Sequence, residues 1–176
     1  MPSGWTLRSS ANAAMDLSIM TRVAGASEPA SYEFTATANH IAAAVLRYSG
    51  ADGSAFSTTS IIFGLDANFL LNMPANSASL VIVCNDTTPD DLSPTSTPPT
   101  GYTLVVQELT NELSLFIWSK LGVEGVENPD AADPGTNFVF PRFVTCVGIH
   151  SQPQDRGRAR VVTSLAASAT MGARHG

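Results

Sequence analysis

Residues 103–121 read TLVVQELTNELSLFIWSKL, two apolar runs separated by Thr110, Asn111 and Glu112. Both runs are rich in β-branched and aromatic side chains, which favour strands, and the polar triplet suits a tight turn. The stretch therefore predicts an antiparallel β-hairpin. No part of the chain carries an apolar stripe of helical period over three turns with caps, so the hairpin sets the expected fold class as all-β.

Similar runs extend this pattern along the chain. Residues 32–37 alternate apolar and polar side chains, residues 79–85 read SLVIVCN, and residues 137–150 predict two strands parted near Pro141. Residues 41–48, IAAAVLRY, fit either a strand buried on both faces or a short helix. Turn residues between short strands predict an antiparallel, jelly-roll-like β-sandwich. We expect these side chains to point inward: Val81, Val83, Val105, Phe116, Phe140, Val144 and Val147.

Composition excludes several classes of protein. The 176 residues are 44% hydrophobic and 14% charged, which argues against disorder, and a single lysine cannot supply the charged flanks of a coiled coil. The net charge of −6 is opposite to that of a nucleic-acid binder. No signal peptide or uninterrupted apolar span is visible, so we expect a cytoplasmically folded chain without a membrane partner. Cys84 and Cys146 are expected to be buried thiols.

The sequence shows no catalytic, cofactor or metal signature, and we predict a non-enzymatic protein. His40, His150 and His175 lack the spacing of zinc enzymes, and Cys146 lies too far from His150 along one predicted strand for a thiolate pair. Two acidic stretches, residues 86–91 and 124–133, are interpreted as solvated loops rather than calcium sites. Sugar binding needs exposed aromatic residues, and the candidates also fit core or strand-end positions: Trp5, Tyr48, Tyr102 and Trp118.

An internal repeat organises the chain. Residues 2–7, PSGWTL, resemble residues 99–104, PTGYTL, and further similarities follow in the same order: 16–23 with 112–121, 28–34 with 128–140, and 44–49 with 146–151. Similar units therefore occur at 2–52 and 99–152. We assign residues 1–52 to a half-module packed on the main sandwich, 53–152 to a complete β-sandwich module, and 153–176 to a C-terminal arm. The most continuously apolar strand of each unit, ending at Tyr48 or His150, is expected to lie centrally.

The first unit resembles β-sandwich modules of phage virion proteins. The pattern is P-x-G-W-T, a strand ending in a basic and an apolar residue, then Y-x-F-T, then Y-S-G. Its matching residues are Pro2, Gly4, Trp5, Thr6, Arg22, Val23, Tyr32, Phe34, Thr35, Tyr48, Ser49 and Gly50. The second unit departs from the pattern, with Tyr102 in place of tryptophan and residues 150–152, HSQ, in place of Y-S-G.

The resemblance implies a virion structural protein of a tailed phage or phage-like particle, assembled in the host cytoplasm. We expect it to decorate or cement the head surface. The alternatives are a fibre, spike or tail-knob component that contacts the host surface, or a carbohydrate-binding β-sandwich module. The expected partners are copies of the chain itself and capsid or spike subunits, with a weak glycan contact as the further partner considered.

Charge sets the C-terminal segment apart. Residues 1–155 hold 5 basic and 15 acidic side chains, a net −10, whereas residues 156–176 hold four basic and no acidic side chains, a net +4 that restores the total of −6. A basic arm on an acidic body suits contact with an acidic neighbour. The predicted partner-binding residues are Arg156, Arg158, Arg160 and Arg174.

A half-module alone would leave an apolar face and an open strand edge in water. The sequence leaves three sources for the missing part. In the first, residues 160–168 fold back as a strand. In the second, residues 1–52 dock on the 53–152 sandwich. In the third, a neighbouring copy lends a strand. Docking within one chain is preferred, with a closed homo-oligomer, a trimer or pentamer, formed at the remaining edge.

Overall fold

The computed structural model describes residues 3–12, 16–35, 40–59, 62–63, 70–86, 98–110, 113–129, 142–152 and 162–171. Within these ranges every regular element is a β-strand, which confirms the all-β class. The strands are β1 (Thr6–Asn12), β2 (Asp16–Ala24), β3 (His40–Ser49), β4 (Ala51–Thr58), β5 (Ile62–Phe63), β6 (Leu71–Asp86), β7 (Thr103–Leu109), β8 (Leu113–Glu127), β9 (Arg142–Ser151) and β10 (Val162–Met171).

The strands form two antiparallel sheets. The first sheet has the order β1-β2-β10-β3, and the second has the order β4-β9-β6-β8-β7, with β5 paired beside β4 on β9. The hairpin predicted over residues 103–121 is present as β7 and β8, and the Thr110 amide donates to the Leu113 carbonyl at its turn. The described strands between residues 53 and 152 belong to the second sheet, whose first strand, β4, begins at Ala51. The domain boundaries stay predictions.

A core cluster draws its side chains from both sheets. Leu17, Ile19 and Ala42 of the first sheet share it with apolar residues of the second sheet that alternate along each strand: Leu80, Ile82 and Cys84 on β6, Leu113, Leu115 and Ile117 on β8, and Phe143, Val147 and Ile149 on β9. Across this core the Tyr48 hydroxyl lies 3.4 Å from the Ser119 hydroxyl. Because successive strand residues point to opposite faces, this alternation places one face of each sheet toward the other.

The second sheet is also buried on its opposite face. Val81, Val83, Phe116, Trp118 and Val144 form a separate cluster there, with the Phe116 and Trp118 rings stacked at 5.7 Å. Residues 77–85, 113–119 and 143–149 are therefore buried throughout. Continuous apolar runs such as SLVIVC are what two buried faces require. The predicted positions Val81, Val83, Phe116, Val144 and Val147 are all buried, but only Val147 faces the other sheet, and the other four belong to the cluster on the opposite face.

Three sequence predictions about position are wrong. Residues 32–35, the described part of the strand expected over residues 32–37, lie outside the strands. Val105 is 44% exposed, because among the described strands β7 lies at a sheet edge and has a bulge between Leu104 and Val106. Residues 41–48 form a strand and not a helix, but β3 is also an edge strand, and Ile41 and Val45 on it are exposed. By contrast β9 lies centrally, as expected of the corresponding strand. Phe140 is outside the described residues.

Candidate functional site

The four arginines predicted to bind a partner lie outside the described residues. Arg156, Arg158 and Arg160 fall between β9 and β10, and Arg174 follows β10 in the sequence. Their role stays a prediction. The described residues nevertheless contain several groups that the sequence singled out, and their geometry decides which chemistry these groups can perform.

A corner of the first sheet is built around Gly4. This glycine has a φ of 81°, a conformation that suits glycine, and a Cβ there would lie 3.1 Å from Arg22 Nη1. The Arg22 guanidinium lies 5.0 Å from the centre of the Tyr32 ring and 3.5 Å from a carboxylate oxygen of Glu28. Trp5 is buried next to it and makes edge contacts with Tyr32 and Phe34. The corner covers Met20 on the outer face of β2.

The second sheet has a corresponding corner around Gly101. Its φ is 82°, and its nearest side chain is Lys120, which stands where Arg22 stands in the repeat. The Lys120 ammonium lies 5.8 Å from the centre of the Tyr102 ring and donates to both carboxylate oxygens of Glu127, at 2.9 and 3.0 Å. The Tyr102 hydroxyl lies 2.7 Å from that of Ser79.

Both corners are suited to fixing a turn, not to catalysis. Burial raises the pKa of Tyr102, so its phenol stays protonated and acts as a hydrogen-bonding group. Sequence reasoning found the glycines, the aromatic residues and the basic residues of both corners, but it missed the carboxylates Glu28 and Glu127. An acidic residue six or seven positions after the basic one was the available signal.

Cys146 and His150 have separate partners. Burial raises the pKa of the Cys146 thiol to about 11, and its sulfur lies 3.5 Å from the Ser79 hydroxyl. His150 Nε2 lies 2.8 Å from the Ser57 hydroxyl, and partial burial lowers the pKa of His150. A protonated thiol and an imidazole that bonds elsewhere do not make a nucleophile and its base. Cys84, like Cys146, is a buried thiol.

The structure describes some of the candidate acidic residues and all four candidate aromatic residues. Glu127 binds Lys120 and Glu124 is exposed, and across the described residues no group of three or more His, Cys, Asp or Glu could hold a metal ion. The other acidic side chains of the two stretches lie outside the description. Trp5, Tyr102 and Trp118 are buried, and Tyr48 is partly buried. These aromatic residues occupy core positions, which is the interpretation that the sequence preferred.

An exposed apolar edge of the fold lies where the two sheets meet at β3 and β7. These strands pack against each other across the sheets, and each is paired on one side only among the strands that the structure describes. Ile41 and Val45 on β3 and Leu104, Val105 and Leu109 on β7 are all at least 41% exposed. We call these five residues the β3–β7 side. Exposed apolar groups beside open strand edges are features of protein interaction surfaces.

Comparison with known proteins identifies no relative: no family model, no curated protein and no solved structure matches the chain. The described residues also contain no helix of the length and hydropathy needed to cross a bilayer.

Proposed function

We propose that this chain is a non-enzymatic virion structural protein of a tailed phage or phage-like particle, and that it decorates or cements the head surface. The structural observation that carries the proposal is the β3–β7 side. It combines two strand edges that are open among the described strands with exposed apolar side chains on the outer face of each sheet, so a second subunit placed along it gains both strand pairing and hydrophobic contact. The resemblance of residues 2–50 to phage virion modules supports the assignment to a phage particle. The partners are copies of the chain and capsid subunits.

The proposal includes a β-sandwich with an internal repeat. Three features support it. One core cluster contains side chains of both sheets. Across both sheets the strands lie in the same spatial order. An edge hairpin, β1–β2 or β7–β8, lies beside an inserted strand, β10 or β6, and the third strand of the unit, β3 or β9, lies on the other side of the inserted strand. Both edge strands carry a bulge after the corresponding leucine, Leu7 or Leu104. A shared bulge position is a specific feature, because bulges are kept within families.

Strand register refines the repeat at its last block. In the first sheet Ile19, Ala167 and Ala44 lie in one row, and in the second sheet Ile117, Ile82 and Thr145 do. Ala44 therefore corresponds to Thr145, one residue before the Cys146 that the sequence comparison chose. A shift of one residue moves a side chain to the other face of its strand. When Ala44 is matched with Thr145, both side chains lie on the face toward the other sheet.

Counting the chain in purified particles tests the virion role. Phage particles induced from the strain that encodes the chain are purified on a density gradient, and the copy number is measured by quantitative mass spectrometry. Hundreds of copies per particle support the head surface. Three, five or six copies support the alternative of a fibre, spike or tail-knob component. Absence of the chain from intact particles overturns both.

Charge placed on the β3–β7 side tests the surface. The double variant Val45→Glu and Leu104→Glu places one carboxylate beside each open edge, on the outer face of each sheet, which we expect to cut particle occupancy at least tenfold. The matched control is Leu70→Glu with Val126→Glu. Both residues are more exposed than Val45 and Leu104, and they lie at the end of the β6–β8 pair that is beyond the positions paired with β7. Equal occupancy for both double variants would exclude this side as the docking surface.

A glycan-binding role is the weaker candidate. Three of its four aromatic candidates are buried, and the fourth, Tyr48, points its hydroxyl at Ser119 in the core. The basic arm with Arg156, Arg158, Arg160 and Arg174 remains the predicted second contact. Truncation after Gln154 should also delete β10, so the arm is better tested by changing these arginines to glutamine and following particle occupancy against salt concentration.

A further inference from the structure

β10 holds an unusual position in the first sheet. It lies between β2 and β3, pairing with β2 from Val162 to Thr170 and with β3 from Val162 to Met171. The other strands of that sheet all come from residues 6–49, whereas β10 follows the entire second sheet in the sequence. The centre of the first sheet is thus completed by a strand from the far end of a chain.

The second sheet shows how the same arrangement is made with consecutive strands. There β6 lies between β8 and β9, just as β10 lies between β2 and β3, and β6 directly precedes the hairpin β7–β8 in the sequence. The directions also agree, since each inserted strand runs antiparallel to both of its neighbours. A β10 placed ahead of β1 would therefore give the first sheet the chain order of the second.

In a head-to-tail series of copies that order arises without any rearrangement. The β10 of one copy stands ahead of the β1–β2–β3 segment of the next, as β6 stands ahead of β7–β8–β9. We propose that β10 completes the first sheet of a second copy of this chain, so that copies are joined by exchange of a central strand. The inference rests on the self-association contained in the proposed function.

Strand exchange needs no new pairing surface. The donated β10 makes the same register with β2 and β3 whichever copy supplies it, so the closed and exchanged forms differ mainly in the connection and in protein concentration. Removal of β10 would open two strand edges inside a sheet, which makes the vacant slot a strong acceptor for an extended segment. A closed ring of such exchanges gives each copy one donated and one accepted strand.

Cross-linking between two single-cysteine variants tests the exchange. Ser168 on β10 pairs with Ala43 on β3, and adjacent Cα atoms at such positions are about 4.5–5.5 Å apart, within disulfide range. In both variants Cys84 and Cys146 are replaced by alanine. Chains carrying Ser168→Cys and chains carrying Ala43→Cys, each with a different affinity tag, are co-expressed and oxidised. We expect a disulfide-linked pair containing one chain of each kind, because neither variant can form this bond within itself.

The matched control replaces Ala43→Cys with Ser10→Cys. Ser10 lies in the same row across the sheet but on β1, with β2 between it and β10, about 10 Å away and beyond disulfide reach. A single chain carrying both Ser168→Cys and Ala43→Cys completes the set. If that chain forms its bond only within itself and the co-expressed pair forms none, the exchange is overturned.

A circular permutant gives an independent answer. It begins at Val162, joins Gly176 to Met1 and ends at residue 161, which places β10 ahead of β1 in one chain. We expect sedimentation to show an oligomer for the original chain and a monomer for the permutant. An oligomer of unchanged size in the permutant overturns the exchange but leaves self-association standing. A monomeric original chain at micromolar concentration overturns both the exchange and the self-association.

Discussion

Both sheets place one strand between a hairpin and a further strand, but they differ in how deeply they are buried. In the second sheet β6, β8 and β9 are buried on both faces, with the core between the sheets on one side and the Phe116–Trp118 cluster on the other. In the first sheet burial alternates along β3, and a small cluster around Trp5 and Met20 covers part of the outer face. The inserted strands differ accordingly, SLVIVC in β6 against VTSLAASATM in β10.

This difference indicates that one strand order can be stabilised in two ways. The second sheet depends on continuous apolar packing, whereas the first depends on a single buried face and a clamped corner. Because hydrophobic stabilisation scales with buried apolar area, we expect the second sheet to resist unfolding and the first to open more readily. An easily opened first sheet also fits a strand that is exchanged between copies.

The largest expected effect is the loss of Trp118, which is completely buried and stacked on Phe116. Trp118→Ala should lower the free energy of unfolding by about 3–5 kcal/mol through cavity formation. The matched change in the first sheet, Met20→Ala, removes a smaller side chain from a smaller cluster and should cost about 2 kcal/mol. Urea denaturation followed by circular dichroism measures both. A greater cost for Met20→Ala would reverse the ranking of the two sheets.

The corner glycines come next, and here the two sheets should behave alike. Gly4→Ala and Gly101→Ala each force a Cβ into a left-handed conformation, with φ of 81° and 82°, at a cost of about 1–2 kcal/mol. Gly4→Ala should be slightly worse, since its Cβ would approach Arg22 Nη1 at 3.1 Å, whereas a Cβ on Gly101 would lie 3.7 Å from the nearest Lys120 atom. The midpoint of thermal unfolding is the measurement. If the substitution leaves the midpoint of thermal unfolding unchanged at only one of the two corners, the corners do not stabilise their sheets in the same way.

The sequence predicted strand positions better than strand neighbours. The apolar pattern correctly identified Val81, Val83, Phe116, Val144 and Val147 as buried. It did not give their face, because runs that are buried at every position carry no alternation, and only Val147 faces the other sheet. It could not report whether a strand lies at an edge, and Val105 and residues 41–48 were misplaced for that reason. Edge and centre depend on pairing between distant segments, which a local pattern does not encode.

The candidate site was predicted even less completely. The repeat identified both corner glycines with their aromatic and basic residues, since these have the same order in the two units. It did not identify the ion partners Glu28 and Glu127, which follow loops of different length. It also gave residues 160–168 only as one of three sources for the missing strand, because alanine, serine and threonine are common in many kinds of segment. The central place of β10 is visible only in the sheet order.

A smaller effect should distinguish the two ion pairs. Lys120 donates to both oxygens of Glu127, whereas Arg22 lies 3.5 Å from one oxygen of Glu28. Both pairs are partly exposed, so each coupling energy should stay below about 1 kcal/mol, with the Lys120 pair the stronger. Double-mutant cycles with Lys120→Met and Glu127→Gln, and with Arg22→Met and Glu28→Gln, measure this. Both couplings should shrink in 1 M salt, and a salt-independent value would mean that the residues interact through packing.

The smallest effect is a pH dependence in the second sheet that comes from His150. Burial lowers the pKa of His150, against a weaker opposing influence of Asp52. A His whose pKa is lower in the folded state is protonated more readily when the chain is unfolded. Its contribution to stability is therefore complete above the unfolded pKa of about 6.5 and is lost as the pH falls toward the folded value. Urea unfolding at pH 7.5 and pH 5 should show a smaller pH-dependent loss for His150→Gln than for the original chain. An equal loss in both chains would assign the pH dependence to the carboxylates instead.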